Sequence, residues 1–258
     1  MKINFYKYQG TGNDFVMIDN RQSVFPKNDT KLINHLCDRR FGIGADGLIL
    51  LENDPEYDFK MVYYNADGRE STMCGNGGRC LVAFASQLGV IENEATFIAV
   101  DGLHKARITG EVVELQMQDV KSIDVFEKYS FLNTGSPHHV QLQNELKHLD
   151  VKKEGARLRY GKYGEEGSNI NFTEQIDADT FAVRTYERGV EDETYSCGTG
   201  VTAVAIAMHR NGLAKGDHIA LQTPGGNLSV SFETSNGHYN NVWLKGPAKL
   251  VYSGTIAY

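Results

Sequence analysis

The chain has 258 residues, with 26 Lys and Arg against 33 Asp and Glu, and 41% of it is hydrophobic. This is the composition of a folded soluble protein, and the length suits two medium domains that each bury a core. The net charge of -7 argues against nucleic-acid or anionic-membrane partners, because phosphates are met by clustered Lys and Arg. No apolar run approaches the roughly 18 residues of a membrane-spanning helix and no signal-peptide pattern is present, so we expect a cytoplasmic protein.

The four cysteines stand at positions 37, 74, 80 and 197. None belongs to a Cys-x-x-Cys pair, so neither a disulfide framework nor a structural zinc site is indicated. No PLP-type lysine motif or metal cluster is evident in the sequence, and we expect no cofactor and no metal. Any special cysteine would therefore act as a free thiol.

The first half reads as short strands around two helices. The strand-like runs are FVMID, LILL, DFKMVYYN, ATFIAV and HKARI. A helix is predicted from about Lys31 to Arg40, capped by Asp29 or Thr30 and ended by Gly42. The side chains that it would turn inward are Leu32, Ile33, Leu36 and Cys37.

Two glycine-rich segments resemble nucleotide-binding motifs. Gly42–Gly47 matches GxGxxG, but it leads into an apparent strand, whereas a dinucleotide loop must open a helix. Gly155–Lys162 resembles a P-loop, yet the spacing between its glycines is wrong and Tyr163 stands where Ser or Thr should bind magnesium. Nucleotide binding is therefore not expected.

The second half continues with the strand-like runs HHVQL, DTFAVRTYE, HIALQ and NVWLKG. The adjacent His138 and His139 would point to opposite faces of a strand, so they cannot both ligate one metal in a simple way. Many short strands with few helices predict an α+β fold.

An offset of 123 residues relates the two halves. It carries Gly12 to Gly135, Gly44 to Gly167, Cys74 to Cys197, Gly75 to Gly198, Gly77 to Gly200, Gly89 to Gly212 and Gly102 to Gly225. Around the cysteines the copies read MCGNGGRCLVAFASQLG and SCGTGVTAVAIAMHRNG, each an apolar helix that Gly89 or Gly212 would cap. We predict two pseudo-symmetric domains, each with strands wrapped around such a helix and with the active site in the cleft between them. The predicted domains are 1–118 plus 249–258 and 119–248.

Cys74 and Cys197 each precede Gly-x-Gly at a helix start, where unpaired N–H groups and the helix dipole favour an anion. A thiol there loses its proton more readily than the free value of about 8.5 allows, and the same N–H groups can hold a carboxylate. A single cysteine in this setting would be interpreted as a small buried core residue. Cys80 is interpreted in that way, because the offset carries it to Ala203. A duplicated pair suits racemisation or epimerisation, in which one thiol removes a proton from a carbon and the other returns one to its opposite face.

These residues closely resemble the diaminopimelate epimerase family over nearly the whole chain. The resemblance is carried by Gly12-Asn13-Asp14-Phe15, Arg39-Arg40 with Gly42-Ile43-Gly44, Asn65-Ala66-Asp67-Gly68, Cys74-Gly75-Asn76-Gly77-Gly78-Arg79, Pro137-His138, Asn169, Tyr186-Glu187-Arg188-Gly189 and Cys197-Gly198-Thr199-Gly200. It implies cofactor-independent interconversion of LL- and meso-2,6-diaminopimelate for lysine and peptidoglycan synthesis. It also implies a homodimer that acts on this small amino-acid substrate.

The resemblance further implies a role for each matching residue. Cys74 and Cys197 would be the two bases, with His138 and Glu187 as candidates to position or polarise them. The reacting carboxylate would be bound at the helix starts by Gly75, Asn76, Gly198 and Thr199. The remaining substrate-binding residues would be Asn13, Asn65, Asn169, Glu187 and Arg188. Of these, Asn65, Asn169 and Arg188 would grip the distal amino-acid centre, since a guanidinium suits a carboxylate.

Three positions depart from the family pattern. Arg69 stands where Ser is usual, Ser136 where many members have Asn, and Gly47 where Gln is frequent. One alternative is therefore a racemase or epimerase of another amino acid, or a proline-racemase-like or phenazine-biosynthesis-like isomerase. Another is a thiol redox or binding protein, which would not exchange a substrate α-hydrogen with solvent.

Overall fold

The computed structural model describes residues 2–71 and 73–257, and the chain divides into two units. Unit 1 comprises Met1–Leu115 and Gly246–Tyr258, and unit 2 comprises Gln116–Lys245. Each boundary lies three residues earlier than in the predicted division. Within the described residues, no helix is long and apolar enough to cross a membrane.

Unit 1 contains two helices, α1 (Thr30–Cys37) and α2 (Gly75–Gln87). Its strands are β1 (Lys2–Gly10), β2 (Asn13–Asp19), β3 (Gly47–Glu52), β4 (Phe59–Asn65), β5 (Glu94–Ala99), β6 (Gly102–Thr109), β7 (Val112–Gln116) and β17 (Lys249–Ala257). They pair in the order β17-β1-β2-β3-β4-β5-β6-β7. The β2/β3 and β4/β5 pairs are parallel, and the other pairs are antiparallel.

Unit 2 contains the helices α3 (Val151–Tyr163) and α4 (Gly198–Arg210), with a short 3-10 turn over Leu146–His148. Its strands are β8 (Ile123–Val125), β9 (Ser130–Asn133), β10 (Pro137–Leu142), β11 (Asn169–Asp177), β12 (Thr180–Glu187), β13 (Asp192–Thr194), β14 (His218–Thr223), β15 (Gly226–Ser235) and β16 (His238–Pro247). They pair in the order β8-β9-β10-β11-β12-β14-β15-β16, and β13 pairs with the end of β12.

The two units repeat one series of strand pairings: two antiparallel, one parallel, one antiparallel, one parallel and two antiparallel. A parallel pair needs a crossover connection, and helices supply it at matching places. In unit 1 these are α1 and α2, and in unit 2 they are α3 and α4. The predicted α+β class and the two duplicated domains are confirmed.

Helices α2 and α4 form the centre of their units. Both are buried on all sides over most of their length, α2 from Gly75 to Ala85 and α4 from Gly200 to Met208. Each ends at a glycine with positive φ: Gly89 (φ 68) donates its N–H to Ser86 O, and Gly212 (φ 74) donates to His209 O. The predicted glycine caps are confirmed.

Helix α1 ends three residues earlier than predicted. Asp29 caps its start by accepting the N–H of Leu32 at 3.0 Å, and Cys37 is buried in the core as expected. Asp38 then takes an extended backbone, and its carboxylate accepts the N–H groups of Arg40 and Phe41, each at 2.7 Å. This local turn competes with the helix and stops it.

Helix α3 was not foreseen in the sequence. Gly155–Lys162 lies inside it, so this segment is not a phosphate-binding loop. The segment has few apolar residues, so its helical periodicity is weak, and its glycines are residues that are typical of loops. Gly155 has a packing role, because a Cβ there would lie 2.3 Å from Cβ of Tyr186 on β12. Glycine thus lets α3 lie close against the sheet of unit 2.

Candidate active site

Cys74 is the residue immediately before α2. It is half-buried, has extended backbone and makes no side-chain hydrogen bond that caps the helix. Its Sγ lies 3.5 Å from Oδ1 of Asn13, the first residue of β2. A Cβ at Gly77 would lie 2.9 Å from Cδ1 of Ile49, so glycine allows the first turn of α2 to lie close against β3.

Asn13 is held by a residue to which the sequence analysis gave no role. Its Nδ2 donates to Oδ2 of Asp46 at 2.6 Å, and Nη2 of Arg39 donates to Oδ1 of the same carboxylate at 2.7 Å. Asp46 lies in the Gly42–Gly47 loop, which leads into strand β3 as predicted. This loop therefore supports Asn13.

Asp14 anchors the same region through two cations. Arg39 donates to both oxygens of Asp14 at 2.9 and 2.7 Å, and the buried Lys7 lies 2.7 Å from Oδ2. Burial alone would raise the pKa of Asp14, but the hydrogen bonds and charges of Arg39 and Lys7 outweigh it and hold that pKa well below its usual range.

Cys197 is the residue before α4 and repeats the setting of Cys74. It is buried, with extended backbone, and its Sγ lies 3.5 Å from Oγ1 of Thr199. Thr134 donates to the carbonyl of Thr199 at 2.9 Å and so holds the first turn of the helix. A Cβ at Gly200 would lie 2.4 Å from Oδ1 of Asn171, so only glycine fits there.

His138 lies on β10 in a buried polar group of unit 2. Nδ2 of Asn171 lies 3.1 Å from its Nδ1 and also donates to the carbonyl of His139 at 2.9 Å, which uses both amide hydrogens. Thr185 donates to Oδ1 of Asn171 at 3.0 Å and thereby fixes the amide orientation.

The His138 ring is neutral. Burial, with a smaller effect of the Arg188 charge, lowers its pKa to about 3. Because Nδ1 accepts from Asn171, the ring proton is on Nε2, which has no protein hydrogen-bond partner among the described residues. His138 is therefore available as a donor through Nε2.

His139 lies on the other side of the strand, as predicted. Its Nδ1 is 2.8 Å from the hydroxyl of Tyr163 on α3, and its ring stacks on Tyr129 at 4.5 Å between centroids. Burial lowers its pKa to about 4. His139 thus belongs to the packing between α3 and the sheet.

Three residues from separate segments of unit 2 form a polar cluster. The Asn169 side chain accepts the backbone N–H of Arg188 at 2.9 Å and donates to the hydroxyl of Ser136 at 3.0 Å. Nη2 of Arg188 also donates to Ser136, at 3.4 Å, and its Nη1 donates to the carbonyl of Glu166 at 2.9 Å. Glu187 ends β12 beside this cluster and is half-buried. The Ser136 hydroxyl therefore supplies the acceptor that joins Asn169 and Arg188.

The other two unusual positions lie in unit 1. Asn65 ends β4, and its N–H binds the carbonyl of Arg69 at 3.0 Å across a tight turn. The Arg69 side chain is 83% exposed and makes only a 3.7 Å ion pair with Asp67 among the described residues. A Cβ at Gly47 would lie 2.5 Å from the Tyr63 ring, so that position accepts no longer side chain in this chain.

Two sequence comparisons identify similar proteins. A model of the family described as diaminopimelate epimerase matches residues 5–122 and 130–251. The diaminopimelate epimerase of Flavobacterium psychrophilum is 60% identical over 256 residues, which cover 98% of this chain and 100% of the relative. That of Chlorobaculum tepidum is 42% identical over 258 residues, covering 96% and 98%.

Solved structures share the fold. A phenazine biosynthesis protein of the PhzF family from Bacillus anthracis superposes with a TM-score of 0.78 at 13% identity, covering 100% of both chains. A hydroxyproline epimerase from Agrobacterium vitis gives 0.73 at 15% identity, covering 99% and 92%. At such low identity these likenesses concern the fold alone, and they agree with two duplicated domains.

The Asp14 ion pairs predict acid sensitivity. A carboxylate with a lowered pKa in the folded protein stabilises it above the unfolded value of about 3.9, and that stabilisation is lost as pH falls through the folded pKa. Asp14→Asn should therefore lower the free energy of unfolding at pH 7 by about 2 to 3 kcal/mol. Urea unfolding between pH 7 and pH 2 should also show a smaller acid loss than in the unmodified protein. The exposed Asp124→Asn is the control, and equal acid loss in the Asp14 and Asp124 variants would contradict the assignment.

Proposed function

Because the chain belongs to the diaminopimelate epimerase family, we propose that it interconverts LL- and meso-2,6-diaminopimelate through the thiols of Cys74 and Cys197. The chain is an isomerase of the racemase and epimerase class, and this reaction serves lysine and peptidoglycan synthesis. The observation that carries the assignment of the two thiols is their repeated setting. Each unit has a cysteine immediately before a buried helix that opens with Gly-x-Gly.

The proposed chemistry needs one thiolate and one thiol. The thiolate removes the α-hydrogen as a proton from one face of the carbon, and the electron pair of the C–H bond moves towards the α-carboxylate. The thiol then donates its proton to the opposite face, so the cysteines exchange protonation states and nothing is oxidised. Backbone N–H groups at a helix start have no partner within the helix, which suits them to the developing negative charge. The residues proposed to supply them are Gly75, Asn76, Gly198 and Thr199.

His138 and Glu187 are proposed to support this chemistry. His138 is neutral and can donate through Nε2 without adding a charge near the helix start. Glu187 carries a carboxylate at the end of β12, next to the cluster of Asn169 and Arg188. A carboxylate there suits the ammonium group of an amino-acid substrate.

The distal end of the substrate is proposed to bind Asn65, Asn169 and Arg188, and Asn13 is proposed to contact the substrate near Cys74. In unit 2, the Asn169 side chain fixes the backbone of Arg188, and Ser136 and Glu166 fix its guanidinium. A guanidinium fixed in this way presents a planar fork that matches a carboxylate. This arrangement supports a substrate that carries a carboxylate at its distal end as well as at the reacting centre.

We further propose a homodimer in the cytoplasm. All four cysteines are free thiols, and a reducing compartment preserves the two that the reaction needs. Among the described residues, strand β17 pairs along one edge with β1, and it exposes Leu250, Val251 and Tyr252 by 43%, 56% and 44%. Exposed apolar side chains on an edge strand favour contact with a second chain.

Replacing either thiol tests the two-base chemistry. Cys74→Ala and Cys197→Ala should each lower epimerisation by about a hundred- to ten-thousand-fold, because a positioned acid or base is lost. In deuterated water each variant should exchange the α-hydrogen of only the stereoisomer that presents it to the remaining thiol. Chiral chromatography with mass spectrometry measures both effects. Cys37→Ala, a change in the core of α1, is the control. Near-normal epimerisation by Cys197→Ala would refute the two-base proposal.

Arg188→Lys tests recognition of the distal carboxylate. Lysine keeps the charge but loses the planar fork, so kcat/KM for diaminopimelate should fall about 10- to 100-fold. The same conservative change at Arg157, an exposed residue of α3 that pairs with Glu154, should have no such effect. Normal kcat/KM for Arg188→Lys would show that Arg188 does not bind the distal carboxylate. If the unmodified protein prefers a monocarboxylic amino acid as substrate, that result would favour a racemase of another amino acid.

Sedimentation equilibrium tests the homodimer. The unmodified protein should have twice the mass of one 28.7 kDa chain. Val251→Glu, which places a charge on the exposed face of β17, should shift the mass towards one chain without changing the circular dichroism spectrum. A single-chain mass for the unmodified protein would contradict the proposal.

A further inference from the structure

Arg79 is a buried cation one turn into α2, with no carboxylate partner among the described residues. It is 0% exposed, and its Nε has no hydrogen-bond partner there. Its guanidinium donates to Oδ1 of Asn76 at 2.9 Å, to Oγ1 of Thr11 at 3.3 Å and to the carbonyl of Gly75 at 3.5 Å. Packing alone does not require a buried charge that is balanced only by neutral oxygens, since such a charge is costly.

The Arg79 cation fixes the orientation of the Asn76 amide. A guanidinium only donates, so the Asn76 atom that faces it is Oδ1. The Nδ2 group of Asn76 is consequently turned towards Oδ1 of Asn13, at 3.4 Å.

Asp46 fixes the Asn13 amide from the other end. An ionised carboxylate only accepts, so the Asn13 atom that faces Asp46 at 2.6 Å is Nδ2. Its Oδ1 is consequently turned to Sγ of Cys74, at 3.5 Å. Two charged side chains thus fix the orientation of two linked amides, and one of these, Asn13, places its Oδ1 against the Cys74 sulfur.

We propose that Arg79 and Asp46 are positioning residues that bias the ionisation of Cys74 in opposite directions. Arg79 favours the thiolate through its charge. Asp46 favours the thiol, because it holds a hydrogen-bond acceptor against the sulfur and adds a negative charge nearby. The inference deepens the proposed function, since it concerns the thiol to which that function assigns proton transfer.

The second unit lacks this charge at the equivalent place. The offset of 123 residues carries Arg79 to Thr202, a neutral residue whose hydroxyl donates to the carbonyl of Gly198 at 2.9 Å. It carries Asn13 to Ser136, which belongs to the cluster with Arg188. The two cysteines therefore share a backbone setting but differ in the charged residues on the helix that follows, so their thiols are expected to differ in acidity.

Other ionisable groups lie around the start of α2 and remain in every variant. The Cys80 thiol is buried, and burial raises its pKa to about 12. Asp101 accepts the N–H of Met73 and pairs with His104 at 3.1 Å. The ion-paired groups contributed by β1, β2 and the loop after α1 are Lys7, Asp14 and Arg39.

The test measures the alkylation rate of Cys74 by iodoacetamide against pH, with peptide mass spectrometry and without substrate. In Arg79→Met the midpoint of the profile should move to higher pH by on the order of one unit, which makes alkylation about tenfold slower below the midpoint. Arg79→Lys should restore most of the rate. In Asp46→Asn the midpoint should move to lower pH. Cys197, measured in the same samples, should keep its profile.

Matched controls separate these effects from general damage. Arg157→Met and Asp124→Asn make the same chemical changes at exposed positions and should leave the Cys74 profile unchanged. Shifts of the same sign for Arg79→Met and Asp46→Asn, or equal shifts at Cys197, would overturn the proposal. If Arg79→Met does not fold, Asp46→Asn decides alone, since Asp46 is 44% exposed, and the absence of a downward shift refutes the inference.

Epimerisation rates against pH provide a second measurement. In each variant, the limb of the pH–rate profile that reflects ionisation of Cys74 should shift in the same direction as the midpoint of Cys74 alkylation. If the protein does not act on diaminopimelate, the alkylation profiles still shift as described, and the proposed function fails while the inference stands. If epimerisation proceeds but no variant moves the Cys74 profile, the inference fails while the proposed function stands.

Discussion

A helix buried along its whole length must find partners outside itself for the N–H groups of its first turn. In α2 and α4 the N-cap residue is a cysteine whose side chain makes no capping hydrogen bond to the first turn. Glycine at the first position leaves the backbone there without a Cβ atom, and glycine at the third position lets the helix start lie close against Ile49 in α2 and Asn171 in α4. The sheets, the glycine caps and the close packing at Gly77 and Gly200 hold each helix start in place, which suits it to the anion-binding role proposed above.

Duplication accounts for the backbone scaffold that the two units share, but not for the polar residues, which differ between the units. The same offset that carries Cys74 to Cys197 carries Phe15 to His138 and Arg79 to Thr202. In unit 1 the buried cation Arg79 lies on the helix that follows Cys74. In unit 2 the equivalent residue is the neutral Thr202, and the neutral His138 is held by Asn171. A symmetric backbone with asymmetric charges suits a reaction whose two bases begin in different protonation states.

The sequence predicted the duplicated scaffold because glycines and cysteines mark backbone requirements that depend only on local position. Helix α3 was missed because its helical pattern is weakly apolar, and the reason for Gly155 is a contact with Tyr186, 31 residues away. The roles of Asp46, Asn171 and Arg79 were missed for the same reason. Asp46 and Asn171 contact residues from other strands and loops, which no spacing along the chain indicates. Arg79 contacts Asn76 on its own helix, but its contact with Thr11 and its burial depend on other segments.

Each of the three departures from the family pattern has a local structural explanation. Ser136 keeps an oxygen acceptor that joins Asn169 and Arg188, so the shorter side chain still links the two groups proposed to bind the distal amino-acid centre. At Gly47 the Tyr63 ring occupies the space of a longer side chain. Arg69 points into solvent, while its backbone carbonyl closes the turn at Asn65. We therefore propose that recognition of a second carboxylate depends on Arg188 with its supports Asn169, Ser136 and Glu166, and not on Gly47 or the exposed Arg69.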